Sequence, residues 1–189
     1  MTIPLMQAIR RHRKSAALLL GAAMSLASFS VAAIRPMVDP VEREALWGFV
    51  EAFANSADAV GASVVDYWPG TEPLEPVRES GRIRIYDGGA FPIASSLRAR
   101  TSEVRVHESG ALNLALLEVE GSCVLPADVE KRFQDVERIA YPSPGDPNPH
   151  VYRRIRRGSL AVSFGFPVKG QGCLSRVVFD PDPVIPLSH

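Results

Sequence analysis

Cys123, in "EGSCVLPADVEKRF", and Cys173, in "KGQGCLSRVVFD", are the only two cysteines of a 189-residue chain and stand fifty residues apart. Joined, they would close a long loop and, on the chain-entropy model, stabilise the fold by roughly 4 kcal/mol. Unjoined, they would be two small buried thiols. Which of these applies depends on the redox state of the compartment in which the chain folds.

The N-terminus points to that compartment. Arg10, Arg11, Arg13 and Lys14 precede an uncharged run from Ser15 to Ala33, and the small residues Val31 and Ala33 stand where a signal peptidase reads. The run is diluted by Ser15, Gly21, Ser25, Ser28 and Ser30, and it barely reaches the ~20 apolar residues of a spanning helix. The pattern predicts a signal peptide over residues 1–33, export to the periplasm or the exterior, and no integral membrane span once it is removed. The competing reading keeps the same segment as an anchor. In an oxidising compartment two cysteines usually form a bridge, so a Cys123–Cys173 disulfide is expected, a brace rather than a reagent.

Removing residues 1–33 leaves 156 residues and takes away four of the 21 basic residues but none of the 21 acidic ones, so the net charge falls from 0 to −4. A mildly acidic domain lacks the clustered Lys and Arg that neutralise phosphates, so nucleic acid is not an expected partner. A chain of this size builds one domain with a core of its own. Residues 34–180 are read as that domain and 181–189 as a Pro-rich tail.

The first element is a helix. Asp39 caps it, Pro40 suits its first position, Glu42 completes a capping-box-like entry, and Leu46, Phe49, Val50, Phe53 and Ala57 form one apolar stripe. Ser63 to Trp68 is β-prone, with Tyr67 and Trp68 at the core or its rim, before a loop carrying Pro69, Gly70, Pro73 and Pro76. "GRIRIYDGG" alternates Ile83 and Ile85 with Arg82 and Arg84 and predicts a strand with one wet face. "SEVRVHESGALNLALLEVEG" predicts a β-hairpin turning at Ser109-Gly110, with Leu112, Leu114, Leu116 and Val119 in its second strand.

Pro126, Asp128, Val129 and Phe133 mark a short second helix, "VERIAY" a returning strand, and the four prolines of "PSPGDPNPH" an exposed loop. Tyr152 to Arg157 then reads as a strand, Leu160, Val162 and Phe164 as an inward-facing alternation, and Cys173, Val177 and Phe179 as one face of the last strand. The expected architecture is α+β: a mostly antiparallel sheet with the N-terminal helix and one short internal helix packed on one face.

The order "PADVEKRF", strand, Pro-rich loop and alternating strands ending "LSRVVFD", residues 124–180, resembles the helix and β-meander module of small outer-membrane-assembly lipoproteins and secreted β-lactamase inhibitor proteins. This chain lacks the glycine that closes the module's helix and carries an unrelated N-terminal half. The resemblance implies protein binding by an envelope scaffold, without catalytic residues.

"GQGCLSR" is similar to the cysteine-centred core of the L,D-transpeptidases, which implies the alternative of a cell-wall-acting enzyme with Cys173 as nucleophile. A thiol nucleophile needs a base, and the mature chain offers His107, His150 and His189. His150, in the Pro-rich loop, reads as solvated. No Gly-x-Ser-x-Gly elbow, phosphate loop, His-Glu-x-x-His helix or Cys-x-x-Cys pair occurs, and no cofactor or metal is expected. Glu118 and Glu120, on one strand face, read as a solvated edge.

One stretch departs from the acidic background. "YRRIRRG" gathers Arg153, Arg154, Arg156 and Arg157 around Tyr152 and Ile155. As structure it is an edge strand guarded by charge; as function it is a patch for another protein with an acidic surface, Arg forks engaging carboxylates and Tyr152 anchoring. The functional expectation is a periplasmic or secreted, non-enzymatic protein-binding domain: an inhibitor, an immunity-type protein or an envelope-assembly accessory.

Overall fold

Helix α1, Pro40–Asp58, begins where Asp39 Oδ1 accepts the Val41 N–H at 2.8 Å. The computed structural model describes residues 34–58, 64–69, 74–140 and 147–181. The predicted signal segment 1–33, the Pro-rich loop over 141–146 and the tail over 182–189 lie outside the described residues. Glu42 does not fold back on the helix end as a capping box would; its carboxylate takes the Ser96 N–H at 2.7 Å and the Ser96 hydroxyl. The buried face of α1 includes Leu46, Val50 and Phe53 but also Trp47 and Ala54, so it is wider than the stripe predicted from spacing. Trp47 lies edge-on to Phe133 at 5.3 Å and to Phe164 at 5.7 Å.

Val64–Tyr67 is a single 3₁₀ turn where β-prone residues predicted a strand. Val64 and Trp68 are buried, and Phe53 meets the Trp68 ring edge-on at 5.3 Å.

Among the described residues nine strands follow: β1 Pro76–Ser80, β2 Ile83–Asp87, β3 Phe91–Pro92, β4 Leu97–His107, β5 Leu112–Gly121, β6 Glu137–Ala140, β7 His150–Arg157, β8 Leu160–Pro167 and β9 Arg176–Pro181. They form one sheet in the order β1-β2-β4-β5-β9-β8-β7-β6, with β3 paired to β4, and every pairing is antiparallel. The last strand therefore lies between two meanders rather than at an edge. Cys173 and Cys123 sit just beyond the end of the β5–β9 ladder and are joined, Cα atoms 5.0 Å apart. Cys173 precedes β9 in an extended segment whose Leu174 N–H reaches the Val124 carbonyl at 2.8 Å. The bridge staples the two meanders at their seam.

Two register shifts changed the faces read from alternation. Between Ala99 and Thr101 a bulge carries β4 out of phase, and a second falls between the pairings of Arg105 and Val106 with β5. Leu97, Ala99, Val104 and Val106 are all buried, as are Leu112, Ala115, Leu117 and Val119. Leu114 and Leu116 turn to the opposite face, since an extra residue flips the side of everything beyond it. On β2, Tyr86 pairs with Val104 and belongs to the core, while Ile85, also buried, pairs with Arg105 on the other face.

Helix α2, Pro126–Arg132, starts with the Leu125 N–H on Asp128 Oδ2 at 2.9 Å and buries Val129. Asp128 also accepts from Arg43 of α1 at 2.6 Å, and Arg132 reaches Glu51 of α1 at 2.9 Å, so ion pairs tie the helices together. Three residues beyond the helix, Asp135 takes a left-handed backbone at φ 55°. Aspartate tolerates that region better than most side chains. No helix among the described residues is long and apolar enough to cross a membrane.

Candidate functional site

The arginine strand β7 divides between two faces. Its register against β8 sets Arg153 opposite Phe164 and Ile155 opposite Val162, on the side that meets the helices. There Arg153 donates to Glu130 of α2 at 2.6 Å, and this bond holds the Glu130 carboxyl below its ordinary value. Arg138 of β6 reaches the same carboxylate at 3.0 Å, and the Arg157 guanidinium lies 4.9 Å from the Phe133 ring centroid. Arg153 and Arg157 thus clamp α2 against the sheet.

Tyr152, Arg154 and Arg156 occupy the other face. Arg154 reaches Asp180 of β9 and Arg156 reaches Glu137 of β6, each at 3.8 Å. The Tyr152 ring lies over Gly165: a Cβ built there would fall 2.7 Å from Tyr152 Cε1 and 3.1 Å from Arg176 Cβ. Glycine is needed at that position to seat the ring. The sequence grouped these residues as one patch; the pleat separates the pair that braces the fold from the residues that face outward.

On that same outward face Glu118 and Glu120 project from β5, a central strand and not an edge. Glu118 takes Arg100, the Thr101 hydroxyl at 3.2 Å and Arg176 at 3.6 Å. Its carboxyl lies below its ordinary value: desolvation raises it, and the hydrogen bond and charge of Arg100 outweigh that. Beside it opens a cavity of about 350 Å³ lined by Arg100, Glu118, Glu120, Asn148, His150, Pro167, Ser175 and Arg176.

His150 is buried, 7% exposed, contrary to its reading as a solvated loop residue. Its Nδ1 lies 2.7 Å from the Asn148 carbonyl and its Nε2 2.9 Å from Ser175 Oγ. The ring, at the start of β7, thus links Asn148 to Ser175, and it also stands 6.0 Å from Tyr152. Ser175 and Asn148 carried no signal in the sequence, because their partners are distant along the chain and belong to no motif.

Cys173 Sγ is bonded to Cys123, so the thiolate required of a cysteine nucleophile is absent from this form of the protein. Around the bridge, Arg35 Nε donates to the Gly121 carbonyl at 2.5 Å, and its terminal nitrogens donate to those of Ser122 and Leu174 at 3.1 and 3.3 Å. Burial lowers the Arg35 pKa, and Glu120 opposes that shift. Met37 pairs in parallel with Cys123, so the segment entering α1 is stitched to the strands the disulfide joins.

No family model and no curated protein matches the chain. Among solved structures the chain is similar to a DUF4309 family protein (YjgB) from Bacillus subtilis subsp. subtilis str. 168, with 12% identity and a TM-score of 0.45 over 74% of this chain and 97% of that one.

Proposed function

We propose that this is an exported protein-binding domain that docks a partner on the helix-free face of its sheet. The carrying observation is the division of β7: Tyr152, Arg154 and Arg156 share that face with Arg100 and Arg176, while Arg153 and Arg157 hold α2. An aromatic ring fixed by a glycine, among guanidinium forks already oriented by carboxylates, suits recognition of an acidic protein surface with little side-chain ordering left for the binding step. The Cys123–Cys173 bridge supports folding in an oxidising compartment, the periplasm or the exterior. An inhibitor, an immunity-type protein and an envelope-assembly accessory are the forms such a domain takes.

The test is to capture the partner with the mature chain from an envelope extract, identify it, and measure association kinetics against salt. Charge reversal at both Arg154 and Arg156 is expected to lower the association rate about tenfold or more and flatten its salt dependence, since such charges steer encounter. Association unchanged by the double reversal would overturn the assignment of this face.

A further inference from the structure

The hydrogen-bond chain through His150 has one polarity. The Asn148 carbonyl only accepts, so Nδ1, 2.7 Å away, carries the ring proton. Nε2 is then the basic nitrogen, 2.9 Å from Ser175 Oγ, which is nearer to it than to its other acceptor, the Gly165 carbonyl at 3.5 Å. A hydroxyl donating to an imidazole whose far nitrogen is held by an acceptor is the arrangement of an activated serine. The ring is shielded from water while the hydroxyl borders the cavity that also holds Arg100 and Arg176.

We propose that Ser175 and His150 are a nucleophile and general base for acyl transfer from carboxylic esters. Ser175 Oγ attacks the ester carbonyl carbon and its proton passes to His150 Nε2. As the tetrahedral adduct collapses, the bond from carbon to the alkoxy oxygen breaks and the leaving alcohol takes that proton. Water, deprotonated by the same nitrogen, then adds to the seryl ester carbonyl; the bond from carbon to Ser175 Oγ breaks, Oγ takes the proton back from Nε2, and the acid is released.

Arg176 and Arg100, each ion-paired with Glu118, are the cations bordering the cavity that a developing oxyanion would meet. Pro167 gives a short acyl chain an apolar wall in a cavity of about 350 Å³. Esters fit better than amides, because a neutral carbonyl behind the imidazole stabilises the imidazolium less than a carboxylate does, and an alkoxide leaves more readily than an amine.

The site goes beyond the partner-binding reading and does not depend on Arg154 or Arg156. The oxidised mature chain is incubated with a fluorophosphonate probe and, separately, with p-nitrophenyl acetate. The expected result is one probe per chain, mapped to Ser175, and ester hydrolysis that falls about 100-fold or more in Ser175→Ala and in His150→Gln, in line with loss of a nucleophile or a general base. The labelling of the wild-type chain decides the matter even where a variant fails to fold. A folded wild-type protein that stays unlabelled, or is labelled only at another serine, overturns the proposal.

Discussion

The two faces of the sheet are made by the same strands and are held by different forces. On the helix-bearing face, Trp47, Phe53, Phe133, Phe164 and Phe179 meet ring to ring, with Phe53 and Phe179 centroids only 4.6 Å apart. On the other face, arginines pair with carboxylates, across strands in Arg98 with Glu120, Arg100 with Glu118 and Arg154 with Asp180, and along β4 in Arg105 with Glu103. Removing apolar area from water is worth about 25 cal/mol per Å², while exposed ion pairs are worth about 0–1 kcal/mol each. The first face therefore carries stability and the second is open to recognition and chemistry.

Truncation of the covered face should cost most. Trp47→Ala removes a fully buried indole that touches both Phe133 and Phe164, and an expected loss of about 3–5 kcal/mol in urea unfolding would set the upper end of the comparison. A loss below about 1 kcal/mol would break the assignment of the core to this face. The seam comes next. Cys123→Ser and Cys173→Ser should each cost roughly 2–5 kcal/mol, and by equal amounts, because either opens the same loop. Intact mass after alkylation without reductant should show no added label in the wild type.

Arginines of one strand sharpen the contrast further. Arg153→Ala, on the helix side at 15% exposure, should lower the melting temperature clearly, whereas Arg156→Ala, at 62% exposure, should leave it nearly unchanged. Equal effects would mean that the pleat does not sort them by role. The smallest effect is electrostatic. Glu118 has a folded pKa below its unfolded one, so the stability it adds is present above about pH 4.5 and is lost as pH falls through the lower, folded value. Glu118→Gln should remove that part of the acid limb in melting temperatures measured against pH.

Elements with strong local signals were legible from the chain alone. Asp39-Pro40 and Pro126 mark both helix starts, and the alternation of Leu160, Val162 and Phe164 holds without interruption through Phe166. Where a bulge intervenes, in β4 and β5, alternation does not tell which face Leu114 and Leu116 take, because a single inserted residue leaves no mark in composition. Of the candidate site, Tyr152, Arg154 and Arg156 were visible as a charged run. Ser175 and Asn148 were not, since Ser175 and His150 are 25 residues apart and meet only when β7 and β9 line up on either side of β8.

The sequence by itself determined the α+β class, the pairing of its only two cysteines and the concentration of arginine in one strand, for these follow from periodicity, cysteine count and local charge. Only the tertiary structure decided that the last strand enters between two meanders, that the arginines divide between bracing a helix and facing outward, and that a buried imidazole meets a serine hydroxyl. The physical reason is range. Helix caps and alternation act over a few residues, whereas strand order and side-chain convergence are set by which distant surfaces bury one another best.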